Sequence, residues 1–198
     1  MAVFKQIMIN EKTGLPCDYK TEEDIRGVVA YAMRSSVYTI SSWVALIYPE
    51  CAANQIIACQ RCRGRDITKR MLQFTLSFYT DGYERFVSKD TIIKTMQWLN
   101  AMFFPDNQKI LCLHVNERDH LHIHMLVNPV RLDNCNIEGY YLKRMMYELA
   151  EYLGGFHGIA LQGVSYQDTN GIIRKGSELG RDLYQKNWYE ENGFRKVI

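Results

Sequence analysis

From Met71 to Tyr79 apolar and polar residues alternate, Leu72, Phe74, Leu76 and Phe78 being separated by Gln73, Thr75 and Ser77. Period 2 over this length is the pattern of a strand with one buried face. Similar readings give strands over Ala2–Asn10, Lys109–Asn116 and His120–Val130, the first followed by the turn-rich Glu11–Pro16. Elsewhere the period lengthens to that of a helix. Behind Thr21-x-x-Asp24, which has the form of a capping box, apolar residues recur at Ile25, Val28, Val29, Ala32 and Met33, and Glu22 and Glu23 suit the positive end of the dipole. Asp90 starts a second helix through Ile92, Ile93, Met96, Leu99, Met102 and Phe103, stopped by Pro105. A third covers Tyr140–Leu153, with Leu142, Met145, Met146, Leu149 and Leu153 inward and Gly154-Gly155 as its stop. The order β-α-β-α-β-β-α predicts an α+β fold, a largely antiparallel central sheet with helices packed on one face.

Length and composition narrow the class. The chain has 198 residues with 47% hydrophobic and 23% charged, which excludes a disordered or fibrous protein. It shows no repeat, low-complexity tract or linker, so a single domain over residues 1–198 is expected, either a minimal form or a domain of a longer protein. No apolar run approaches the roughly eighteen residues that span a bilayer, and Met1–Asn10 lacks the core of a signal peptide. A cytoplasmic location follows, in which the six irregularly spaced cysteines stay reduced. Cys59-x-x-Cys62 has zinc-knuckle spacing but lacks a second pair, and no phosphate-binding glycine fingerprint is present. A net charge of +2 declares no partner.

The histidines change the picture. There are five, and four of them fall between residues 114 and 124. Period-2 geometry sets Leu111, Leu113 and Val115 against Cys112, His114 and Asn116 on the first strand. On the second it sets Leu121, Ile123, Met125 and Val127 against His120, His122, His124 and Asn128. Pairing through Glu117-Arg118-Asp119 puts His114 opposite His122 and Cys112 opposite His124. His114, His122 and His124 then converge on one divalent cation, and three neutral imidazoles leave coordination positions open, the pattern of a catalytic metal site. Such ligands accommodate zinc, manganese, nickel or cobalt.

His122-Ile123-His124, preceded by His114 and followed by Val127-Asn128, resembles the third motif of HUH endonucleases, most closely that of conjugative relaxases of the MOB-P type. Val29-Ala30-Tyr31-Ala32-Met33-Arg34 is similar to the segment carrying the nucleophilic tyrosine in relaxases of Gram-positive mobile elements, and the resemblance extends over about residues 1–155. It implies site- and strand-specific nicking and joining of DNA at an origin of transfer through a covalent 5′-phosphotyrosine. It also implies magnesium or manganese in cells, single-stranded or hairpin DNA as substrate, and accessory relaxosome and coupling proteins as partners.

Two tyrosines compete for the nucleophile. Tyr31 points away from the apolar stripe of its helix and precedes the histidines, the order found in relaxases. Tyr140-x-x-Lys143 has the form found in rolling-circle replication initiators and transposases of the same superfamily. The longer N-terminal match favours Tyr31. His120, on the imidazole face but outside the triad, is a candidate base for the tyrosine proton. Arg61, Arg63, Arg65, Lys69 and Arg70 form a basic segment able to neutralise phosphates. A reading from another class is a metal-dependent DNA-binding protein that does not cut.

Overall fold

The computed structural model describes residues 2–8, 17, 19–63, 69–78, 87–115, 121–132, 139–167 and 173–175. Its elements are β1 (Ala2–Gln6), α1 (Glu22–Arg34), β2 (Tyr38–Ser42), α2 (Pro49–Arg63), β3 (Leu72–Phe78), α3 (Lys89–Met102), β4 (Asn107–Val115), β5 (Leu121–Arg131), α4 (Gly139–His157), β6 (Leu161–Gln167) and β7 (Ile173–Lys175). The strands form one sheet of seven in the order β2-β4-β5-β3-β1-β6-β7. From β2 to β1 every pairing is antiparallel, whereas β6 runs parallel to β1. The α+β class and the largely antiparallel sheet are as the sequence predicts.

The helices, however, cover both faces and not one. On one face α3 and α4 bury Met96, Leu99, Met146 and Leu149 against Phe4, Phe74, Leu76, Leu111, Leu113, Ile123 and Met125. On the other, α1 and α2 pack Ile25, Val29, Ala32, Ala53, Ile56 and Ile57 against Met71, Ile110, Cys112 and Leu126. The cause lies in the alternation itself. The face that carries the histidines has a second polar residue, Asn128, at the far end of β5, but Ile110, Cys112 and Leu126 between them make it apolar enough to need a cover.

Local chemistry fixes the ends of the helices. Thr21 accepts from the Asp24 N–H at 3.1 Å and donates its own N–H to the Asp24 carboxylate at 2.8 Å, the capping box expected at the start of α1. Lys109 is fully buried in β4, and its ammonium donates to the Phe103 and Phe104 carbonyls beyond the end of α3, at 2.7 and 3.1 Å. Burial lowers its pKa to about 8. Gly154 and Gly155 do not stop α4. The stop is Gly158, in the left-handed region at φ +65°, whose N–H reaches the Gly154 carbonyl at 3.2 Å.

Candidate metal centre and nucleophile

The sheet register delivers the cluster. β4 and β5 pair with His114 opposite His122 and Cys112 opposite His124, and β3 lays Thr75 beside His124 and Ser77 beside His122. Side chains opposite one another in a ladder share a face. Ring centroids lie 5.4 Å apart for His114 and His122, 4.5 Å for His114 and His124, and 4.9 Å for His122 and His124. One ligand nitrogen from each lies within 4.8 Å of the others. His114 and His124 are buried. Burial first, then the neighbouring imidazoles, pushes the pKa of His124 down to about 3, so its ring is neutral and keeps a lone pair at neutral pH.

Each buried ring is oriented by a partner outside the cluster. His114 Nε2 lies 2.7 Å from the Ala32 carbonyl, a pure acceptor, so Nε2 carries the proton and Nδ1 is left for a ligand. Ala32 is in the last turn of α1, where carbonyls have no partner within the helix. The same helix end carries the negative pole of its dipole, which favours a cation beside it. His124 Nδ1 lies 3.3 Å from Gln73 Nε2, and its Nε2 is buried with no hydrogen-bond partner among the described residues. A buried orphan nitrogen facing two further imidazoles is the donor set that a divalent cation satisfies.

Tyr31 stands over this cluster. Its ring centroid is 6.0 Å from that of His114 and 5.7 Å from that of His124, and the residue is 57% exposed. Exposure leaves the phenol open to a substrate, while the link from Ala32 to His114 holds the neighbouring peptide against the histidine cluster. Tyr140 begins a helix whose buried residues Leu142, Met145 and Met146 pack on the opposite face of the sheet. His120 lies outside the described residues.

The basic segment divides. Arg61 and Arg63 end α2, Arg65 lies outside the described residues, and Lys69 and Arg70 precede β3. Arg61 forms a two-pronged ion pair with Glu22 at 2.7 and 2.6 Å, and Arg63 donates to the Leu132 carbonyl. Arg70 donates to the Lys20 carbonyl and to Gln60, at 3.0 and 3.3 Å. These contacts tie the far end of α2 to its surroundings. Asn128 does the same: it is fully buried, accepts from Gln60 at 3.0 Å and donates to Gln108 at 3.0 Å.

Sequence reasoning missed Gln73 and Ala32 as parts of the site. Gln73 was legible as a polar residue on a strand, but its partnership with His124 depends on β3 lying next to β5, which no local pattern reveals. A carbonyl such as that of Ala32 leaves no trace in the sequence at all.

A protein-family model described as "Relaxase: MobA/VirD2-like, nuclease domain" matches residues 33–155, more than half of the chain. The match takes in the histidine hairpin and starts just after Tyr31. No curated protein and no solved structure matches.

Proposed function

The chain belongs to the relaxase family of MobA/VirD2-like nuclease domains, and from that premise we propose that it nicks and rejoins one strand of DNA at an origin of transfer, with Tyr31 as nucleophile. The observation that carries this reading is the tyrosine ring set 5.7 and 6.0 Å from two imidazoles of a three-histidine cluster. His114, His122 and His124 would hold a divalent cation, magnesium or manganese being the expected ions. When bound, that ion supplies charge neutralisation and orientation at a phosphodiester.

The residues of the chain do the rest. The Tyr31 oxygen attacks phosphorus and its proton passes to a base, while the bond to the 3′ oxygen breaks and that oxygen takes up a proton from the protonated base or from water, leaving a 5′-phosphotyrosine and a free 3′-hydroxyl. Tyrosine has a reference pKa near 10, so the deprotonation needs assistance, for which His120 stays the candidate. Storing the bond energy in the phosphotyrosine lets the same site reseal the strand. Arg61, Arg63, Arg65, Lys69 and Arg70 are proposed as contacts to the DNA backbone, and a basic surface of this kind gives salt-dependent binding. Among the described residues no helix is long and apolar enough to cross a membrane.

The test is adduct mapping. Incubation with a single-stranded oligonucleotide containing an origin of transfer, with Mn²⁺, is expected to leave a covalent adduct on Tyr31. Tyr31→Phe should abolish it with the fold and metal affinity intact. An adduct on Tyr140, or binding without any adduct, overturns the reading in favour of an initiator-type enzyme or a non-cleaving DNA-binding protein respectively.

A further inference from the structure

Gln73 is buried beneath the cluster, with one end of its amide at His124 Nδ1 and the other at the Tyr19 hydroxyl. Tyr19 is not there by accident of a loose loop. It is a non-glycine residue at φ +44°, a conformation that costs free energy. Its carbonyl accepts from the Arg70 N–H at 2.8 Å, and the next carbonyl, that of Lys20, accepts from Arg70 Nε at 3.0 Å. The segment just ahead of α1 is therefore pinned where the phenol can reach under the helix to Gln73.

We propose that Gln73, itself held by Tyr19, is a positioning residue that selects the tautomer of His124 and so sets how tightly the three imidazoles hold a divalent cation. This rests on the metal reading given above. An amide can present either a donor or an acceptor to an imidazole nitrogen. With the amide nitrogen facing it, Nδ1 accepts, and the ring proton sits on Nε2, the atom that has no partner among the described residues. In that arrangement Nε2 has no lone pair to give. A half-turn of the amide brings its oxygen to Nδ1, which takes up a proton from water as Nε2 releases one, with no net change in charge. Nε2 is then free to ligate.

The half-turn requires a partner at the other end that tolerates inversion. A phenol does: the Tyr19 hydroxyl donates to the amide oxygen in the first arrangement and accepts from the amide nitrogen in the second. A main-chain carbonyl or an ammonium there would lock the amide in one state. The amide is neutral, so it orients the ring without adding negative charge to the site. A carboxylate in its place would accept from both Nδ1–H and the Tyr19 O–H and hold only the ligating tautomer.

The experiment is titration of the full chain with Mn²⁺ by calorimetry and with Co²⁺ by absorption, alongside ¹⁵N chemical shifts of the His124 ring. Gln73→Leu is expected to weaken cation affinity about 10- to 100-fold, the range for an outer-shell partner of a ligating histidine. Tyr19→Phe should weaken it several-fold, and Gln73→Glu should match or exceed the unsubstituted chain. The ring proton of His124 should move from Nε2 to Nδ1 on metal loading. Equal affinities across the series, or Nδ1–H already present without metal, overturn the inference. If Gln73→Leu fails to fold, Tyr19→Phe and Gln73→Glu decide by the same criteria. A chain that binds neither ion overturns the metal reading itself, an outcome distinct from tight binding that ignores residue 73.

Discussion

His114 makes two commitments at once, one nitrogen to the Ala32 carbonyl at 2.7 Å and the other to the cluster. His114→Ala therefore removes a proposed ligand and also leaves a helix-terminal carbonyl without its donor. Saturating Mn²⁺ is expected to raise the melting temperature of the unsubstituted chain and not that of the variant, whose cation affinity should fall by about 100-fold or more. Metal at about 100 times its dissociation constant stabilises a folded chain by about 2.7 kcal/mol, so a thermal shift assay with and without chelator reads the loss directly. Lys109 gives a prediction of another kind. Its pKa falls from the usual 10.5 to about 8 on folding. Between those values the unfolded chain binds a proton that the folded chain has released, so stability rises with pH across the window. From pH 8 to 9 the gain is about 1 kcal/mol, one pKa unit's worth. Above pH 9 the Cys112 thiol, lifted by burial to about 11, begins to oppose it. Urea melts at pH 7.5 and 9 should show the rise, and Lys109→Met should flatten it.

Helix α1 is the element on which the site turns, and its stability is adjustable from both ends of its sequence logic. Thr21→Ala removes one half of the capping box and should cost about 1 kcal/mol in chemical denaturation. Gly27 is exposed within the same helix, and an added Cβ meets nothing within 4 Å, so Gly27→Ala should stabilise by up to about 1 kcal/mol. The element was legible because cap, acidic first turn and apolar stripe agree, and the stripe of Ile25, Val28, Val29 and Ala32 is the buried one. By contrast α2 was missed. It spaces Ala52, Ala53, Ile56, Ile57 and Gln60 inward at helical intervals, but only Ile56 and Ile57 of these are large and apolar, and cysteines interrupt the outer face. That spacing, with Pro49 in the first turn, was the signal available. β2 gave no alternation to read, since all five of its residues are half-buried. The hairpin was the opposite case: side chains at period 2 on two adjacent strands determine face and register together, and the observed pairs are those expected from the loop length.

At the scale of the molecule, one sheet separates two cores, and neither core closes without it. The expected consequence for stability is that the described residues unfold as a single cooperative unit. Leu99→Ala in the first core and Ile56→Ala in the second should each cost about 2–5 kcal/mol. Calorimetry should give one transition in both variants, with van't Hoff and calorimetric enthalpies equal. Two separable transitions would divide the chain into independent units. The covering of both faces was not legible because it depends on Ile110, Cys112 and Leu126 sharing a face with histidines, so a strand read as half imidazole is in fact half core. Helices α3 and α4 cover one face of the sheet, so under the proposed function DNA would approach from the other side, across the rim where Tyr31 stands. At that rim Tyr31 and the Ala32 carbonyl bonded to His114 belong to adjacent positions of one helical turn. Any tilt of α1 would carry the Tyr31 backbone and that carbonyl together, so a displacement of the tyrosine's helix is expected to be felt at His114.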